Sequence, residues 1–302
     1  MRKTFALASI VLALLLAISA CSSTGGGSTT SSGADSGSSF DTSKSISVIT
    51  REDGSGTKTA FMEIIGLKGK ADPTNVIIQT GTEGVLTEVK GNPAALAYES
   101  LGYVTNDVKM LRVDGVDATV ANIQNGTYKI SRPLSVVYQE STLDDAVNNA
   151  FFVFLHSNEV QKMISDNGYV SIATTASSYT INDSLSGSID VSGSTSLQPL
   201  MIELASAFEA IQPKISVNVS GGGSGTGYNN ANEGVSAFGM ISEEFSLEKA
   251  PTCTDFVVCK DGIAIIANPG NPLQDISMEQ LMNIYDEDAG SNAITAWRDL
   301  IK

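Results

Sequence analysis

The sequence has 302 residues, a formal net charge of -15 and 42% hydrophobic residues, enough for one two-lobed unit or two modest domains. Only 6% of the residues are aromatic, and nucleic-acid binding needs clustered Lys and Arg with stacking surfaces, so no nucleic-acid partner is expected. A small anion remains compatible with the acidic balance, because local hydrogen-bond donors can hold it.

The N-terminus predicts a targeting segment. A basic start precedes an apolar stretch over 5–17 that is shorter than a membrane span. The stretch ends in Ile18-Ser19-Ala20-Cys21, the small-residue pattern of a bacterial lipoprotein cleavage box. We therefore expect a signal peptide over 1–20 and a lipid on Cys21, which would anchor the protein to the extracytoplasmic face of the cell membrane. The alternative is an ordinary secretory signal with an incidental cysteine.

Residues 21–44 are rich in Gly, Ser and Thr and predict a flexible tether. Beyond it lie Cys253 and Cys259. A disulfide between them is allowed outside the cytoplasm, but it closes only if the chain turns between them. Two small buried apolar side chains are the alternative. No metal site is expected, because His156 is the single histidine of the sequence.

Residues 45–180 alternate short apolar runs with stretches of helical spacing, which predicts an α/β segment. Gly168 marks the expected end of a long helix. The expected strands are Ile46–Thr50, Val76–Ile78 and Ala94–Tyr98, and the expected helices are Lys58–Ile65, a helix after the turn 80–84, and Thr142–Asp166.

Residues 181–187 predict a linker, within a Ser-, Thr- and Asn-rich stretch over 174–187, and a second α/β segment follows over 188–302. Its clearest helix has apolar residues from Leu197 to Ile211 on one face, with Ser196 as the expected N-cap. The other expected elements are strands over Ser188–Val191, Ile215–Val219 and Ile263–Ala267, a helix ending near Glu233, and a helix over Met278–Tyr285.

Three turns share one design, because each combines glycine with hydroxyl side chains between a predicted strand and a predicted helix. They are Gly54-Ser55-Gly56-Thr57, Gly193-Ser194-Thr195-Ser196 and Gly221-Gly222-Gly223-Ser224-Gly225-Thr226. Helix N-termini offer free backbone N–H groups and partial positive charge, and Arg51 adds a guanidinium. One such turn indicates only a helix cap, whereas three in one chain indicate a shared oxyanion site.

Two enzyme classes are disfavoured by incomplete motifs. In Gly56-Thr57-Lys58-Thr59, a threonine stands between the glycine and the lysine that a P-loop joins directly. The Gly-Gly-Ser-Gly-Thr run around Ser224 lacks the last glycine of a nucleophile elbow. His156 lies in an apolar helical stretch, where a structural role is expected. No catalytic residue and no cofactor are therefore predicted.

With these motifs the chain resembles the phosphate-binding proteins of ABC phosphate importers, from Ile46 to Lys302. The resemblance rests on Arg51-Glu52-Asp53-Gly54-Ser55-Gly56-Thr57, Ser192-Gly193-Ser194-Thr195-Ser196-Leu197-Gln198-Pro199, Gly221-Gly222-Gly223-Ser224-Gly225-Thr226-Gly227, Phe238-Gly239-Met240-Ile241-Ser242 and Asp261-Gly262-Ile263-Ala264.

The resemblance implies a two-lobed, type II periplasmic-binding-protein-like α/β fold that closes on inorganic phosphate and delivers it to ABC permease membrane subunits. It also implies which residues bind phosphate. These are Arg51, Ser55, the Gly56 N–H and Thr57 from one segment, and Thr195, Ser196, the Leu197 N–H, Ser224 and Ser242 from the other.

The order of the two segments departs from the family. The family's later half comes first here, over 45–180, and its early half follows over 188–302, ending in Trp297-Arg298-Asp299-Leu300. A circular permutant, with 174–187 joining the former termini, explains this order. The alternatives are halves that pair with halves of another copy, and a truncated gene or assembly artefact.

Ser242 is a second departure, because the family often has an aspartate there that accepts a proton from the ligand. Glu243 or Glu244 could take that role, or both could lie in a solvated acidic loop. The alternatives to phosphate binding are a site for another oxyanion such as sulfate or molybdate, a surface sensor or pseudo-receptor outside transport, and a phosphoester hydrolase.

Overall fold

The computed structural model describes residues 40–172 and 176–301. The predicted signal peptide, Cys21 and most of the predicted tether lie outside these residues. From Phe40 onward the chain belongs to one compact unit. Within the described ranges, no helix combines the length and the hydrophobicity needed to cross a membrane.

Strands and helices alternate along the described ranges, as the sequence predicts for an α/β protein. The strands are β1 (Ser47–Arg51), β2 (Ile77–Gln79), β3 (Ala95–Ser100), β4 (Lys109–Val113), β5 (Ser131–Tyr138), β6 (Gly187–Gly193), β7 (Ile215–Ser220), β8 (Phe238–Ile241), β9 (Thr254–Ala267) and β10 (Asp275–Ile276). The α-helices are α1 (Gly56–Ile64), α2 (Gly81–Gly91), α3 (Val120–Gln124), α4 (Ala146–Leu155), α5 (Asn158–Asp166), α6 (Gln198–Ile211), α7 (Ser224–Asn232) and α8 (Met278–Tyr285). Short 3-10 helices cover Leu101–Tyr103, Glu140–Asp144, Gly290–Asn292 and Trp297–Asp299.

The strands join in the order β2-β1-β3-β9-β5-β8-β6-β7, and β4 pairs with β9 and β10 beside this path. The outer groups are parallel, since β1 runs parallel to β2 and β3, and β6 runs parallel to β7 and β8. The 14-residue β9 is antiparallel to β5 along its first half and to β3 and β4 along its second. The two antiparallel strands β9 and β5 therefore link the two groups.

Two large hydrophobic cores define two lobes. Lobe A, built from 40–130 and 263–301, packs around Phe61, Tyr98, Tyr285 and Trp297. Lobe B, built from 131–169 and 176–259, packs around the side chains of Phe151, Phe154, Phe208 and Phe238. The chain passes between the lobes at the start of β5 and within β9. Each predicted segment, 45–180 and 188–302, therefore contributes to both lobes.

The predicted single helix over 142–166 is wrong. The structure has a 3-10 helix followed by α4 and α5, with a break at His156 and Ser157. The Ser157 Oγ accepts the Val160 N–H at 3.4 Å, which is the N-cap bond that starts a new helix. Apolar spacing continues across the break, so the pattern alone does not reveal it. Gly168 follows α5 with φ at 79°, as its predicted role requires.

The start of the described chain packs on lobe A, although the predicted tether extends to residue 44. The Phe40 ring meets the Trp297 ring edge-on at 5.7 Å. The Thr42 carbonyl accepts the Arg298 N–H at 2.8 Å, and the Lys44 carbonyl accepts the Trp297 N–H at 3.1 Å. Residues 40–44 are thus part of the fold. The predicted linker also ends early, because Gly187 already opens β6.

Cys253 and Cys259 are both buried free thiols, so the disulfide considered from the sequence is not formed. Cys253 directly precedes β9 and Cys259 lies within it. Six extended residues span roughly 20 Å, whereas a disulfide requires Cα atoms within about 7 Å of each other. Burial raises the pKa of the Cys259 thiol. The two side chains are small apolar residues of lobe B.

Candidate anion-binding site

The three predicted glycine and hydroxyl turns meet between the lobes. The turn between β1 and α1 comes from lobe A, and the turns after β6 and β7 come from lobe B. The Gly225 N–H donates to the Gly54 carbonyl at 3.0 Å. The Thr57 and Ser196 hydroxyls are 2.9 Å apart and share a hydrogen bond. One chain thus supplies both walls of the cleft.

Glycine at position 56 is required by this close approach. A Cβ there would lie 2.3 Å from the Ser224 Oγ and 2.8 Å from the Ser242 Oγ. Both distances are too short for any real Cβ, and both atoms belong to the opposite lobe. The first turn of α1 can therefore reach the lobe B hydroxyls only with glycine at this position.

The N-termini of three helices begin at this cleft. They are α1 at Gly56, α6 at Gln198 and α7 at Ser224. The first N–H groups of a helix have no partner within it, and the helix dipole places partial positive charge there. The local backbone of each turn therefore favours a negatively charged group.

The predicted N-cap at Ser196 is wrong. The N-cap position of α6 is Leu197, and the side chain that closes this end is Ser194. The Ser194 Oγ accepts the N–H of Ser196 at 3.2 Å and the N–H of Leu197 at 3.3 Å. The Ser196 hydroxyl is thereby left to face Thr57 across the cleft. The Leu197 N–H, expected to bind phosphate, donates within lobe B in this structure.

The remaining hydroxyls lie in the same region. The Ser224 Oγ accepts the Ser242 N–H at 3.0 Å and is 3.3 Å from the Ser242 Oγ. The Ser55 Oγ caps α1 by accepting the Lys58 N–H at 3.3 Å. Of the nine residues expected to bind phosphate, Thr195 is half-buried and the others are buried. Close approaches between the lobes involve seven of the nine, and Ser55 and Leu197 are their neighbours in the chain.

Arg51 spans the cleft from the end of β1, and its side chain is 1% exposed. Its Nη2 donates to the Thr195 Oγ1 at 3.0 Å, which is a contact from lobe A to lobe B. Its Nε donates to Glu52 at 2.9 Å, and its Nη1 donates to Glu99 at 3.3 Å. Burial acts to lower the pKa of Arg51, but Glu99 and Glu52 outweigh it, so this pKa is raised.

Two carboxylates beside Arg51 were not predicted. Glu52 is half-buried and also accepts the Gly81 N–H at the start of α2, at 3.2 Å. Burial acts to raise the pKa of Glu52, but the hydrogen bond and charge of Arg51 together with backbone N–H groups outweigh burial and lower this pKa. Glu99 is fully buried in β3. Burial raises the pKa of Glu99 even though Arg51 opposes it. An acidic residue inside an apolar strand was the available sequence signal for Glu99.

A second buried ion pair supports the site from the junction of β5 and β9. The Arg132 Nη2 is 3.2 Å from the Asp261 Oδ2, and the Arg132 Nη1 donates to the Ser242 carbonyl at 2.9 Å. The same Asp261 oxygen accepts the Ser100 hydroxyl at 2.7 Å. Burial raises the pKa of Asp261. Arg132 of this pair thereby fixes the backbone of Ser242, and Asp261 connects lobe A, through Ser100, to the strand β9.

Neither Glu243 nor Glu244 makes a contact that would let it take the role of a carboxylate at position 242. Glu243 is buried, and its two oxygens accept the Lys249 ammonium at 2.8 and 2.9 Å. Glu244 is exposed. The alternative given by the sequence, in which both residues lie in a solvated acidic loop, therefore fits Glu244 but not Glu243. At position 242 the cleft presents a hydroxyl.

Comparison with known proteins decides the family. Residues 38–159 and 171–302 match the PBP superfamily domain. The phosphate-binding protein PstS 2 of Streptococcus pneumoniae serotype 4 is 33% identical over 295 residues, which are 95% of this chain and 98% of the relative. The chain belongs to the PBP superfamily. PstS 2 of Streptococcus agalactiae serotype V is 32% identical over 91% of this chain and 94% of the relative.

A solved structure agrees with the fold of this PBP superfamily member. The phosphate-binding protein of a phosphate ABC transporter from Streptococcus pneumoniae TIGR4 superimposes with a TM-score of 0.67 at 34% identity. The match covers 85% of this chain and 100% of that chain. The predicted two-lobed α/β fold of this family is confirmed.

The segment order is shared with the streptococcal relative, because one alignment runs through 98% of that protein. The phosphate-binding protein PstS of Bacillus subtilis matches at 34% identity over only 119 residues, which are 38% of each chain.

The polar groups that meet at the site are suited to hydrogen bonding. The Ser224 hydroxyl is hydrogen-bonded to Ser242, whereas the His156 Nδ1 lies 2.7 Å from the Phe152 carbonyl and its ring stacks on Phe256. Within residues 40–172 and 176–301, no cluster of His, Cys, Asp and Glu has the arrangement of a metal site. Hydroxyls, N–H groups and a guanidinium are groups that hydrogen-bond an oxyanion.

Proposed function

We propose that the protein is an extracytoplasmic solute-binding protein that captures inorganic phosphate between its lobes and delivers it to the membrane subunits of an ABC importer. The observation that carries this proposal is the pairing of the Arg51 guanidinium with Thr195 across the cleft, beside the hydrogen bond between Thr57 and Ser196. The names of the streptococcal relatives support phosphate as the ligand.

Phosphate would replace the hydroxyl contacts that now close the cleft. We assign its binding to side-chain and backbone donors from both walls, with Arg51 as the charged group. The proposed ligand-binding residues are Arg51, Ser55, Gly56, Thr57, Thr195, Ser196, Leu197, Ser224 and Ser242. Several neutral donors and one guanidinium can hold a dianion in a buried site without a full countercharge.

Titration of the purified protein with phosphate, sulfate and molybdate tests the ligand. We expect phosphate to bind at least tenfold more tightly than the other two anions and to raise the melting temperature, because a ligand that binds only the folded state stabilises it. Sulfate is the second candidate, since position 242 carries a hydroxyl, which repels a fully ionised anion less than a carboxylate would. Equal affinities for phosphate and sulfate would overturn phosphate specificity.

We propose that the protein has no catalytic activity of its own. The Ser224 hydroxyl bonds to Ser242 rather than to a base, so it lacks the activation that a serine nucleophile requires. Turnover of a generic phosphoester by the purified protein, lost in Ser224→Ala, would show that a hydrolase is the correct assignment.

We further propose attachment to the cell membrane through a lipid on Cys21. The support is the cleavage box Ile18-Ser19-Ala20-Cys21 and the polar stretch that follows it. Labelling cells with a radioactive fatty acid should mark the wild-type protein but not Cys21→Ser. Equal labelling of the two proteins would exclude this anchor, and an unlabelled wild type would favour a plain secretory signal.

A further inference from the structure

Glu99 is a fully buried carboxylate bonded to the guanidinium that is proposed to bind the ligand. Its side chain is 0% exposed, and its Oε2 is 3.3 Å from the Arg51 Nη1. Its Oε1 accepts the Ser100 N–H at 2.7 Å and the Thr82 hydroxyl at 3.3 Å. Oε1 therefore accepts hydrogen bonds from two neutral donors, whereas Oε2 contacts the Arg51 guanidinium.

Carboxylates already outnumber guanidinium groups around Glu99 before any anion arrives. The ionisable and polar groups that face it from neighbouring elements are Arg51 on β1, Thr82 on α2, Tyr103 after β3, Arg132 on β5 and Asp261 on β9. Two guanidinium groups are matched by two carboxylates, and Glu52 adds a third carboxylate next to Arg51. A bound dianion would add negative charge that nothing in this buried region compensates.

We propose that Glu99 takes up a proton from solvent at its Oε2 when the site binds a doubly charged oxyanion, which leaves the positive charge of Arg51 to the ligand. This inference rests on the function proposed above. No covalent bond changes, because one proton moves from water or buffer to one carboxylate.

Glu99 is better suited to this role than its two acidic neighbours. Glu52 is half-buried, and its hydrogen bond to Arg51 holds its pKa below the ordinary value in spite of burial. Asp261 is buried, but its ion-pair partner is Arg132 rather than Arg51. Burial raises the pKa of Glu99, so less free energy is needed to protonate it near neutral pH.

Calorimetric titration with phosphate tests the proposal. The heat is measured at one pH in two buffers that differ in ionisation enthalpy, which gives the number of protons taken up per bound anion. Phosphate also exchanges protons with the buffer, so the count is compared between wild type and Glu99→Gln. We expect wild type to take up more protons than Glu99→Gln, by a difference approaching about one per site.

Two matched variants identify the carboxylate that is protonated. Glu52→Gln should keep the proton uptake, and so should Asp261→Asn. If uptake persists in Glu99→Gln but disappears in Asp261→Asn, the proposal is wrong. If phosphate binds to wild type with the same proton count as to Glu99→Gln, the inference fails while the proposed function stands. If no anion binds to wild type, both fail.

A second measurement covers the case in which Glu99→Gln does not fold. Sulfate remains fully ionised near neutral pH, so it brings no proton of its own. Infrared difference spectroscopy of wild type should show a new carboxylic acid C=O band when sulfate or phosphate binds. Binding of either anion without that band would overturn the proposal.

Discussion

The two walls of the cleft use different chemistry for the same task. The lobe A wall carries the charge, in Arg51 with Glu52 and Glu99 around it. The lobe B wall offers neutral groups, with Ser196, Ser224 and Ser242 at or beside two helix N-termini. A charged wall sets affinity and responds to pH, whereas a neutral wall sets shape and hydrogen-bond geometry. Substitutions on the two sides should therefore have separable effects.

The largest effect is expected for Arg51→Met on the charged wall. Loss of the guanidinium should weaken phosphate binding at least about 100-fold, since hydrogen bonds to charged groups contribute about 1.5–3 kcal/mol each. The free energy of unfolding should also fall by about 3 kcal/mol, because Glu99 is left buried without its partner. Binding is measured by calorimetry and stability by urea denaturation.

A double variant separates the two effects of Arg51→Met. Adding Glu99→Gln removes the unpaired charge, so Arg51→Met/Glu99→Gln should recover much of the lost stability and none of the lost affinity. If phosphate affinity in either variant stays within threefold of wild type, Arg51 does not supply the positive charge that binds phosphate.

The next effect concerns the contact between the walls. Gly56→Ala should weaken phosphate binding by about 10- to 100-fold, because overpacking at Ser224 and Ser242 typically costs about 1–3 kcal/mol. The lobes can separate to relieve this overlap, so the melting temperature without ligand should change little. Gly91→Ala is the matched control, since a Cβ there meets nothing within 4 Å. Equal affinities in the two variants would show that closure does not bring the walls this close.

A smaller effect is expected for Tyr103→Phe. The Tyr103 hydroxyl in lobe A donates to the Thr195 carbonyl in lobe B at 2.9 Å. Losing one hydrogen bond of about 0.5–1.5 kcal/mol should weaken phosphate binding roughly 2- to 10-fold by disfavouring closure. The control is Tyr128→Phe, whose hydroxyl bonds the Ile263 carbonyl within lobe A. That variant should lower stability and leave affinity unchanged, and the reverse pattern would contradict the assignment.

The smallest effect is a pH dependence of stability on the charged wall. Burial raises the pKa of folded Glu99 above its ordinary value of 4.5, so over that interval the folded state binds more protons than the unfolded state. The contribution of Glu99 to the free energy of unfolding therefore falls as pH rises above that value. The difference in stability between wild type and Glu99→Gln should decrease over the same interval, as followed by urea denaturation at several pH values. A difference independent of pH would contradict the raised pKa.

Local sequence information was sufficient to locate the turns of the site. Glycine with hydroxyls between a strand and a helix predicted that three turns from distant segments share one site, and the structure joins two of these turns through Thr57 and Ser196. The strand β9 was only partly predicted, as Ile263–Ala267, because its first half mixes polar and apolar residues. That half is a strand because it pairs with β5, and pairing across more than a hundred residues leaves no local pattern.

The electrostatic surroundings of the site could not be predicted from the sequence for the same reason. Glu99 is bonded to a residue 48 positions earlier, and its burial depends on strands that pack only in the folded protein. The capping of α6 by Ser194 instead of Ser196 depends on the exact rotation of a tight turn. Residue types therefore predict which groups meet, whereas burial and rotation decide which hydroxyl stays free and which carboxylate can hold a proton.

The contact between Phe40 and Trp297 has a mechanical consequence. It places both ends of the described chain on lobe A. The lipid anchor proposed at Cys21 would therefore be joined to lobe A. Lobe B, joined to it through the start of β5 and the middle of β9, would then be the lobe that moves when the cleft closes on the proposed ligand. The wall with the charge would stay close to the bilayer, and the wall of neutral donors would travel.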